Sequence, residues 1–457
     1  MAASRVSGLG AIGVVGLWHL GSVTAACLAQ AGYEVIAVDP DATVVERLAR
    51  GIAPVSEPGL PELLERAGDR LRYSSDASAL SGVERAWITF DTPVDDDDNA
   101  DVDWVVEHAA RLLVELAGDA LVVVSSQLPV GSVARLQARC ASERGRDDLR
   151  FACIPENLRL GGALEAFRAP ERFVVGARCE RDLAEVSELL SPFEAKIESM
   201  RVESAEMTKH ALNGFLATSV AFINEIATIC ESVGADAGEV SRGLKSERRI
   251  GPRAYLAPGD AFAGGTLARD ISFLRDLAER HALPDDVFAG VANGNTAHKG
   301  WARRKLLSLL AASRETSADA PLEGQTVAIW GLTYKPGTDT LRRSSAIELC
   351  RWLGSAGAEV RAHDPAVGEL PDELDGAITL YSTPLAAASG ADALVISTAW
   401  PEYREVAPEA VLDALARPLV IDAAAFLQGT LGAERGLRYA HVGSADQTVA
   451  GSTEAAS

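Results

Sequence analysis

The fold is organised around residues 203–231, ESAEMTKHALNGFLATSVAFINEIATICE. Apolar residues recur in it at steps of three and four positions, and it contains no proline, so we predict one long amphipathic helix. Lys209 and Asn213 are four residues apart, which places an ammonium group and a carboxamide on one face of that helix. Such a pair belongs either to an active site or to an ordinary solvated face, and the flanking segments favour the active site.

Composition indicates a soluble globular protein of two or three domains. The 457 residues exceed one ordinary hydrophobic core, and 47% are hydrophobic against 24% charged. A net charge of −22 argues against nucleic acid or an anionic membrane as a partner, because basic patches bind both. The six cysteines show no CxxC spacing, so we expect reduced thiols and no metal site. No apolar run reaches the ~20 residues of a membrane span, and we expect a cytoplasmic protein.

Residues 11–38 predict a strand, a turn, a helix and a second strand, which together form a βαβ nucleotide-binding unit. The turn GLWHLG (16–21) keeps the first and third glycines of the GxGxxG fingerprint. Trp18 replaces the middle glycine, which normally lets a pyrophosphate approach the helix N-terminus. Asp39 ends the second strand, where an acid binds ribose hydroxyls and repels a 2′-phosphate. The unit favours NAD over NADP, with a βαβ unit that binds no dinucleotide as the alternative.

Further short apolar strands each end in a polar or Pro/Gly turn: WITFDTP (87–93), LVVVSSQLPVG (121–131) and FACIPENLRL (151–160). In open parallel sheets, ligands bind just beyond such carboxyl ends. Glu156 directly follows a strand and a proline, and it is either a general base or an acid at a helix start. Near the C-terminus, TVAIWG (326–331) opens a second α/β unit, in which Lys335 and Arg342 suit an anionic ligand.

The order of these motifs resembles the UDP-glucose/GDP-mannose dehydrogenase family along nearly the whole chain. The matching pieces include GVVGLWHLG (13–21), SEPGLPELL (56–64), SQLPVG (126–131), FINEIA (222–227), RRIG (248–251), PGDAFAGGTLARD (258–270), GLTYKPGTDTLRRSSA (331–346) and TAWPEYR (398–404). The resemblance implies an α/β fold: two Rossmann-like domains with parallel sheets, joined by a long central helix and a helical dimerisation segment. We expect an NAD-binding domain at 1–200, a central helical domain at 201–318, a nucleotide-sugar-binding domain at 319–442 and a disordered tail at 443–457.

That family oxidises the C6 alcohol of a nucleotide sugar to a carboxylate in two hydride transfers to NAD. By resemblance, Lys209, Asn213 and Asp270 serve the first transfer and Glu156 the later acyl steps. The resemblance also implies a homodimer in which Arg249 reaches the sugar across the interface. The implied cofactor contacts are Gly16, Trp18, His19, Leu20, Gly21, Asp39, Thr92, Pro93, Ser126 and Gln127, and the implied substrate contacts are Arg249, Phe262, Gly264, Gly265, Lys335 and Arg342.

Departures from the family cluster on the second half of its reaction. The family captures the aldehyde on a cysteine, and aligning AGGTLARD by its glycines and final Asp puts Thr266 at that cysteine. A threonine hydroxyl is a poor nucleophile without an adjacent base. Gln127 and Leu160 also replace residues of the later steps, whereas the residues of the first oxidation remain. We predict a dehydrogenase that stops at the 6-aldehyde. The alternatives are direct oxidation to the acid without covalent capture, an epimerase that retains NAD, and a non-catalytic nucleotide-sugar-binding protein.

Overall fold

A computed structural model describes residues 10–55, 57–95, 100–263, 265–310, 319–374 and 376–444. Gly264, a predicted substrate contact, and residues 445–457 of the predicted tail lie outside these ranges. The chain divides into two compact units, Met1–Leu212 and Asn213–Ser457.

The described part of the first unit contains an eight-stranded sheet in the order β3-β2-β1-β4-β5-β6-β7-β8. Its strands are parallel except where β7 pairs with β6. The first six strands have the doubly wound order of dinucleotide-binding domains, whose crevice opens where the order reverses, between β1 and β4. The strands are β1 (Ile12–Val15), β2 (Val35–Val38), β3 (Leu71–Ser74), β4 (Arg85–Ile88), β5 (Leu121–Val124), β6 (Arg150–Cys153), β7 (Arg172–Gly176) and β8 (Lys196–Met200).

Helices cover both faces of this sheet, and a separate apolar core fills each face. The central strands β1 and β5 are buried along their whole length, as strands covered on both faces must be. The helices are α1 (His19–Gln30), α2 (Ala42–Ala49), α3 (Leu60–Ala67), α4 (Val102–Leu112), α5 (Ser132–Arg144), α6 (Ala163–Arg168) and α7 (Glu180–Leu190).

The predicted long helix is α8 (Val202–Val233), with 32 residues. The boundary between the two units falls inside it, so α8 contributes its first third to the first unit and the remainder to the second. Several of its buried positions are polar, namely Glu206, His210, Asn213 and Asn224. Buried polar side chains need hydrogen-bond partners, so these positions indicate where the helix supports other segments.

The second unit continues with helices and ends in a second sheet. The helices after α8 are α9 (Ala237–Ser246), α10 (Thr266–Arg280), α11 (Asp286–Lys299) and α12 (Trp301–Leu310). The described strands β11-β10-β9-β12-β13-β14 are all parallel and repeat the doubly wound order. Their bounds are β9 (Thr326–Trp330), β10 (Glu359–His363), β11 (Thr379–Leu380), β12 (Ala393–Ile396), β13 (Leu419–Asp422) and β14 (Arg438–Ala440), with α13 (Ser345–Ser355), α14 (Pro384–Ala388) and α15 (Pro408–Ala414) on the faces. The predicted fold class is confirmed.

Candidate functional site

The turn between β1 and α1 depends on two glycines. Gly16 has φ +93°, and a Cβ there would lie 2.6 Å from Cδ1 of Phe90. A Cβ on Gly21 would lie 1.7 Å from the carbonyl oxygen of Gly16. Trp18, in contrast, has φ −71°, which any L-residue adopts, and it is 44% exposed. The turn therefore has the backbone of a glycine loop even though Trp18 occupies the middle position.

The N-terminus of α1 is open to an anion. Trp18 makes no side-chain hydrogen bond as the N-cap, and the first turn of α1 contains no acidic residue. The first backbone N–H groups of a helix lack partners within the helix and favour a negatively charged ligand. Leu20 buries its side chain in the core, so only its backbone faces a ligand. These features fit the pyrophosphate of a dinucleotide.

Asp39 follows β2 and is buried. Its Oδ2 accepts the N–H of Leu17 at 2.6 Å, and its Oδ1 accepts the N–H of Asp41 at 2.9 Å. Burial raises the pKa of this carboxyl group, while the two backbone hydrogen bonds oppose the shift. Each carboxylate oxygen accepts more than one hydrogen bond, so Asp39 supports the turn and keeps acceptor capacity for ribose hydroxyls.

The predicted cofactor residues that follow β4 and β5 lie together, because these two strands are neighbours in the sheet. Thr92 Oγ1 donates to the carbonyl oxygen of Gln127 at 2.7 Å. Pro93 follows Thr92 directly, and Ser126 precedes Gln127. Ser126 is buried, and its hydroxyl has no hydrogen-bond partner within the described part of the chain. A buried hydroxyl of that kind is normally satisfied by water or a ligand.

Lys209 and Glu156 form a largely buried ion pair. Nζ of Lys209 lies 3.4 Å from Oε1 of Glu156, and the two side chains are 10% and 17% exposed. Oε2 of Glu156 accepts the N–H of Leu158 at 2.9 Å. Both charged side chains line a cavity of about 20 Å³ with Ser126 and Gln127, which is room for one water molecule. The structure thus brings two predicted catalytic residues together with two predicted cofactor contacts.

Cys153 lines the same cavity. Burial raises the pKa of its thiol well above the usual value, and the nearby charges of Glu206 and Glu203 raise it further. The thiolate is the nucleophilic form of cysteine, so a thiol with a raised pKa is unreactive. Cys153 therefore lies beside the ion pair without the ionisation that covalent capture requires.

Asn213 on α8 and Asp270 on α10 form a second buried pair, in which Nδ2 of Asn213 donates to Oδ2 of Asp270. Gly214 permits the close approach of the two helices, since a Cβ there would lie 2.9 Å from Cδ1 of Leu274. Thr266 is the first residue of α10, one helical turn before Asp270. Within the described ranges, the hydroxyl group of Thr266 has no hydrogen-bonded base to activate it.

Polar side chains from two helices hold the loop that precedes α10. Asn224 on α8 accepts the N–H of Gly259 at 3.0 Å, and His298 on α11 donates to its carbonyl at 2.8 Å. Asn295, also on α11, accepts the N–H of Phe262 at 2.9 Å and donates to its carbonyl at 2.8 Å. These contacts fix the backbone conformation that the predicted substrate loop presents to a ligand.

Two carboxyl groups interact beside that loop. Asp260 is accessible to solvent, yet enough protein surrounds its carboxyl group that desolvation, and then the charge of Asp422, raise its pKa to about 7. Asp422 ends β13 and is buried. It accepts the N–H of Leu427 at 2.7 Å and the hydroxyl of Tyr439 at 2.5 Å. The pair introduces a group into the loop that titrates near neutral pH.

The second sheet repeats the turn of the first. Gly331 follows β9 with φ +92°, and a Cβ there would lie 2.4 Å from Cβ of Thr398. Asp364 follows β10, and its Oδ2 accepts the N–H of Leu332 at 2.7 Å, as Asp39 does for Leu17. Lys335 and Arg342, the predicted diphosphate contacts, lie in the turn that follows.

Gly265 and Arg249 are the remaining predicted substrate contacts. Gly265 has φ +105°, and a Cβ there would lie 3.6 Å from the hydroxyl oxygen of Tyr334. Arg249 lines a groove of about 570 Å³ with Phe215 of α8. The Arg249 side chain is 87% exposed, and its Nε lies 3.0 Å from Oε1 of Glu247. Arg249 is thus on an open, partly apolar face of the second unit.

Two buried carboxylates, Glu57 and Glu206, were not predicted from the sequence. Glu57 accepts the N–H groups of Gly161 and Ala163 at 2.8 and 2.9 Å. Glu206 on α8 accepts two backbone N–H groups at the start of α5, and burial raises its pKa. The available signals were the position of Glu57 in the SEPGLPELL motif and the position of Glu206 one turn before Lys209.

No cluster of three or more His, Cys, Asp or Glu side chains suited to a metal ion occurs among the described residues. One described helix, α8, is long and apolar enough by length and composition to cross a membrane, and 33% of its most apolar window is buried. A core helix of a soluble protein meets the same criteria, so this observation is weak evidence for a span.

Comparison with protein families gives three matches that follow one another along the chain. Residues 10–194 match the NAD binding domain of the UDP-glucose/GDP-mannose dehydrogenase family. Residues 203–297 match the central domain of that family, and residues 328–429 match its UDP binding domain.

Individual relatives agree with these matches. The chain is 33% identical over 446 residues to a UDP-glucose 6-dehydrogenase of Pseudomonas aeruginosa, covering 94% of this chain and 96% of that one. It is 33% identical over 416 residues to UDP-glucose 6-dehydrogenase TuaD of Bacillus subtilis, covering 90% and 88%. The structure of a UDP-glucose dehydrogenase from Pyrobaculum islandicum is similar with a TM-score of 0.79 and 31% identity, covering 89% and 94%.

Proposed function

The chain belongs to the UDP-glucose/GDP-mannose dehydrogenase family, and on that premise we propose that it oxidises C6 of a UDP- or GDP-hexose with NAD and releases the 6-aldehyde. The predicted family, the NAD cofactor, the nucleotide-sugar substrate class and the dehydrogenase class are confirmed. We propose, in addition, that oxidation occurs at C6, that it stops at the aldehyde, and that the residues named below perform it.

The chain holds NAD through backbone groups and one acid. Gly16 permits the tight turn and Gly21 the close packing of α1, the N–H groups at the start of α1 bind the pyrophosphate, and Asp39 accepts hydrogen bonds from the ribose. Ser126 offers the buried hydroxyl group that lacks a protein partner among the described residues. When bound, NAD accepts the hydride that leaves C6. The backbone conformation of Trp18 does not require glycine, and its side chain is 44% exposed.

Loss of hydride from C6 requires that the hydroxyl proton leaves and that charge on the oxygen is stabilised. We assign the stabilising charge to the ammonium group of Lys209, which Glu156 keeps in place at 3.4 Å. Asn213 lies one helical turn further along α8, and we assign its amide, which Asp270 orients, to hydrogen bonding in the same transfer. The proton passes to the carboxylate of Asp270. The product is an aldehyde, one hydride equivalent and one proton.

The observation that carries the proposed end point is Thr266. The hydroxyl group of Thr266 has no activating base within the described residues. It therefore lacks the activation it needs to attack the aldehyde and form a covalent intermediate. The thiol of Cys153, which lies beside Glu156 and Lys209, is held in its protonated form. Neither side chain supplies the nucleophile that a second oxidation through a covalent intermediate requires.

A stoichiometry experiment tests this function. Purified protein is incubated with NAD and each member of a panel of UDP- and GDP-hexoses, and NADH formed is compared with sugar consumed. One NADH per sugar, with a product that reacts with hydroxylamine, is the expected result. Two NADH per sugar would show full oxidation to the acid, and none would indicate an epimerase or a binding protein.

Installing a thiol tests the assignment of position 266. Thr266→Cys restores the nucleophile alone, and we expect it to leave the product as the aldehyde, since Gln127 and Leu160 still differ from the family. The triple variant with Gln127→Thr and Leu160→Glu is the matched comparison. Two NADH per sugar from that triple variant alone would support the assignment, and the same product from the wild type and every variant would contradict it.

We propose a homodimer built on α8. Phe215, Phe222, Ile229 and Val233 recur along one side of the helix and are 68%, 47%, 53% and 71% exposed. Exposed apolar stripes of this length are typical of protein interfaces. The groove that contains Arg249 also includes Phe215, so a second copy seated on this stripe would lie beside Arg249. We therefore assign the stripe to a second copy of the chain and keep the predicted role of Arg249 across that interface.

Sedimentation of two matched variants tests the dimer. Ile229→Asp introduces a charge into the apolar stripe and is expected to give monomers. Thr228→Asp introduces the same charge at an exposed position about 100° around α8 from Ile229, outside the stripe, and is expected to leave the dimer intact. Dimers from both variants would contradict the proposed interface.

The proposed domain bounds are 1–200 for NAD binding, 201–318 for the central helices and 319–442 for nucleotide-sugar binding, followed by a tail at 443–457. Each of the three domains contains one family match. Gly443, the first residue of the proposed tail, donates to Glu231 at 2.9 Å and accepts from Ala237 at 2.9 Å. We retain a cytoplasmic location without nucleic-acid or membrane partners as part of the proposal.

A further inference from the structure

Glu57 lies where three segments of the first unit meet. It is 3% exposed, and it accepts the N–H groups of Gly161 at 2.8 Å and Ala163 at 2.9 Å. Nε2 of His19 lies 3.0 Å from its Oε2. A buried carboxylate depends on its donors, because each donor that is lost leaves charge uncompensated. Glu57 therefore fixes the relative positions of all three segments.

Two of these segments lead to the proposed chemistry. His19 is the first residue of α1, whose N-terminal N–H groups we assign to the pyrophosphate. Gly161 and Ala163 end the segment that begins at Glu156, and Glu156 in turn holds Lys209 at 3.4 Å. A continuous set of hydrogen bonds and short backbone segments thus connects the dinucleotide turn with the Lys209–Glu156 pair.

We propose that His19 and Glu57 are positioning residues that couple NAD binding to the placement of Glu156. The inference rests on the proposed function for the identity of the bound dinucleotide and for the role of Glu156. A pyrophosphate bound at the start of α1 restricts the motion of the turn that contains His19. Because Glu57 is hydrogen-bonded to both His19 and residues 161 and 163, it then also restricts the motion of residues 156–163. A misplacement of about 1 Å at a reacting group lowers a rate by about a hundredfold, so the connection matters for catalysis.

A pair of substitutions at His19 isolates the connecting hydrogen bond. His19→Tyr keeps a hydrogen-bond donor on an aromatic ring, whereas His19→Phe differs from it by the absence of one hydroxyl group. Both variants leave the backbone contacts of Glu57 with Gly161 and Ala163 in place, so both are expected to fold. NADH affinity, measured by fluorescence, is expected to be about tenfold weaker in His19→Phe than in His19→Tyr.

Hydrogen exchange separates coupling from a purely structural role. In the wild type and in His19→Tyr, saturating NADH is expected to slow exchange of the amides in residues 157–163. In His19→Phe, at an NADH concentration that saturates the weaker site, this slowing is expected to be absent. A structural role alone predicts equal slowing in all three proteins at saturation, and that result would overturn the proposal.

The kinetic readout is the value of kcat with saturating NAD. It is expected to fall about tenfold in His19→Phe and to recover in His19→Tyr, with the KM for the nucleotide sugar unchanged. Glu57→Gln keeps the shape but only one acceptor oxygen, so it also weakens one backbone contact and is expected to lose at least as much kcat as His19→Phe. The double variant is expected to be no worse than Glu57→Gln alone. Additive losses in the double variant would show two independent effects and contradict the coupling. The exchange experiment needs only NADH, so it tests the coupling even if no nucleotide sugar is oxidised.

Discussion

Ala425 has a left-handed backbone conformation, with φ +54°, in the turn that follows β13. Its N–H donates to the carbonyl of Asp422, which closes the turn. The left-handed region costs a residue with a Cβ about 1 kcal/mol or more, and glycine does not incur this cost. Ala425→Gly is therefore expected to raise the free energy of unfolding by about 0.5–1 kcal/mol, measured by urea denaturation.

The neighbouring residue supplies the control. Ala424 does not have a positive φ, so glycine there relieves no strain and only increases the freedom of the unfolded chain. Ala424→Gly is expected to lower the free energy of unfolding by about 0.5–1 kcal/mol. Equal changes in both variants would show that the backbone conformation of Ala425 is not strained.

Asp260 makes the stability of the fold depend on pH. Its pKa in the folded protein is about 7, above the ordinary value of 3.8, so the folded state binds this proton more tightly than the unfolded state. Stability is then lost as pH rises from the unfolded pKa towards the folded one, and the loss is complete above the folded pKa. The wild type is expected to lose Tm relative to Asp260→Asn as the pH rises from about 5 to about 8.

Asp148 provides a control, because folding lowers its pKa instead of raising it. The guanidinium group of Arg146 lowers the pKa of Asp148 to about 2, so its contribution is complete above the unfolded pKa and is lost only in acid. Asp148→Asn is expected to shift Tm by a constant amount across the same pH range. A pH-dependent shift from Asp148→Asn, or a constant one from Asp260→Asn, would contradict the assignment of the titrating group.

Single residues also mark the limit of prediction from sequence. Lys209 and Glu156 were identified from motif positions, and their contact was not predicted, because spacing along the chain does not give a distance between side chains. Ala425 lies in a run of three alanines, and such a sequence does not indicate a left-handed turn. Glu57 was read within a motif, but its partners at residues 161 and 163 are about a hundred positions away.

At the scale of elements, the close approach of α8 and α10 holds Asn213 against Asp270. Gly214→Leu would place a side chain where Cδ1 of Leu274 already lies 2.9 Å from an added Cβ. The helices must then separate, and the Asn213–Asp270 hydrogen bond is expected to lengthen. We expect kcat/KM to fall by about a hundredfold, measured by NADH formation, because misplaced reacting groups lower rates steeply.

Gly243 on α9 is the matched control, since a Cβ at that position meets no atom within 4 Å. Gly243→Leu adds the same side chain to a helix with room for it. Its kcat/KM is expected to stay within about twofold of the wild type, as for most surface substitutions. A similar loss in both variants would indicate a general effect of added bulk and would contradict the role of the α8–α10 contact.

Elements with a strong period were predicted well, because periodicity reports which face of an element is buried. The helix expected at 203–231 is α8, and the strands expected near residues 11–15 and 326–330 are β1 and β9. The early start of α1 at His19 was not predicted, because the turn residues before Ser22 resemble a loop. The helix begins there since Trp18 can act as its N-cap without a side-chain hydrogen bond.

At the scale of the whole molecule, six strands of the first sheet have the same order as the six strands of the second, and each sheet has an acid at the equivalent position. Asp39 in the first and Asp364 in the second each accept the N–H of the residue after the strand-ending glycine. The acids differ in how many donors surround them. Oδ2 of Asp364 also accepts the N–H and hydroxyl of Thr333 and the indole N–H of Trp400, and its Oδ1 accepts the N–H of Ala366.

This difference predicts opposite results for one substitution made in both sheets. Asp39 accepts two backbone N–H groups and has capacity for a ribose, so Asp39→Asn is expected to weaken NADH binding about tenfold, measured by fluorescence. Asp364 is surrounded by protein donors, so Asp364→Asn is expected to lower the free energy of unfolding by about 2–3 kcal/mol while NADH affinity stays unchanged. Asp364 and Asp39 occupy equivalent positions and differ in the number of protein donors that each already accepts. Equal losses of NADH affinity in the two variants would therefore contradict the assignment of the dinucleotide to the first sheet.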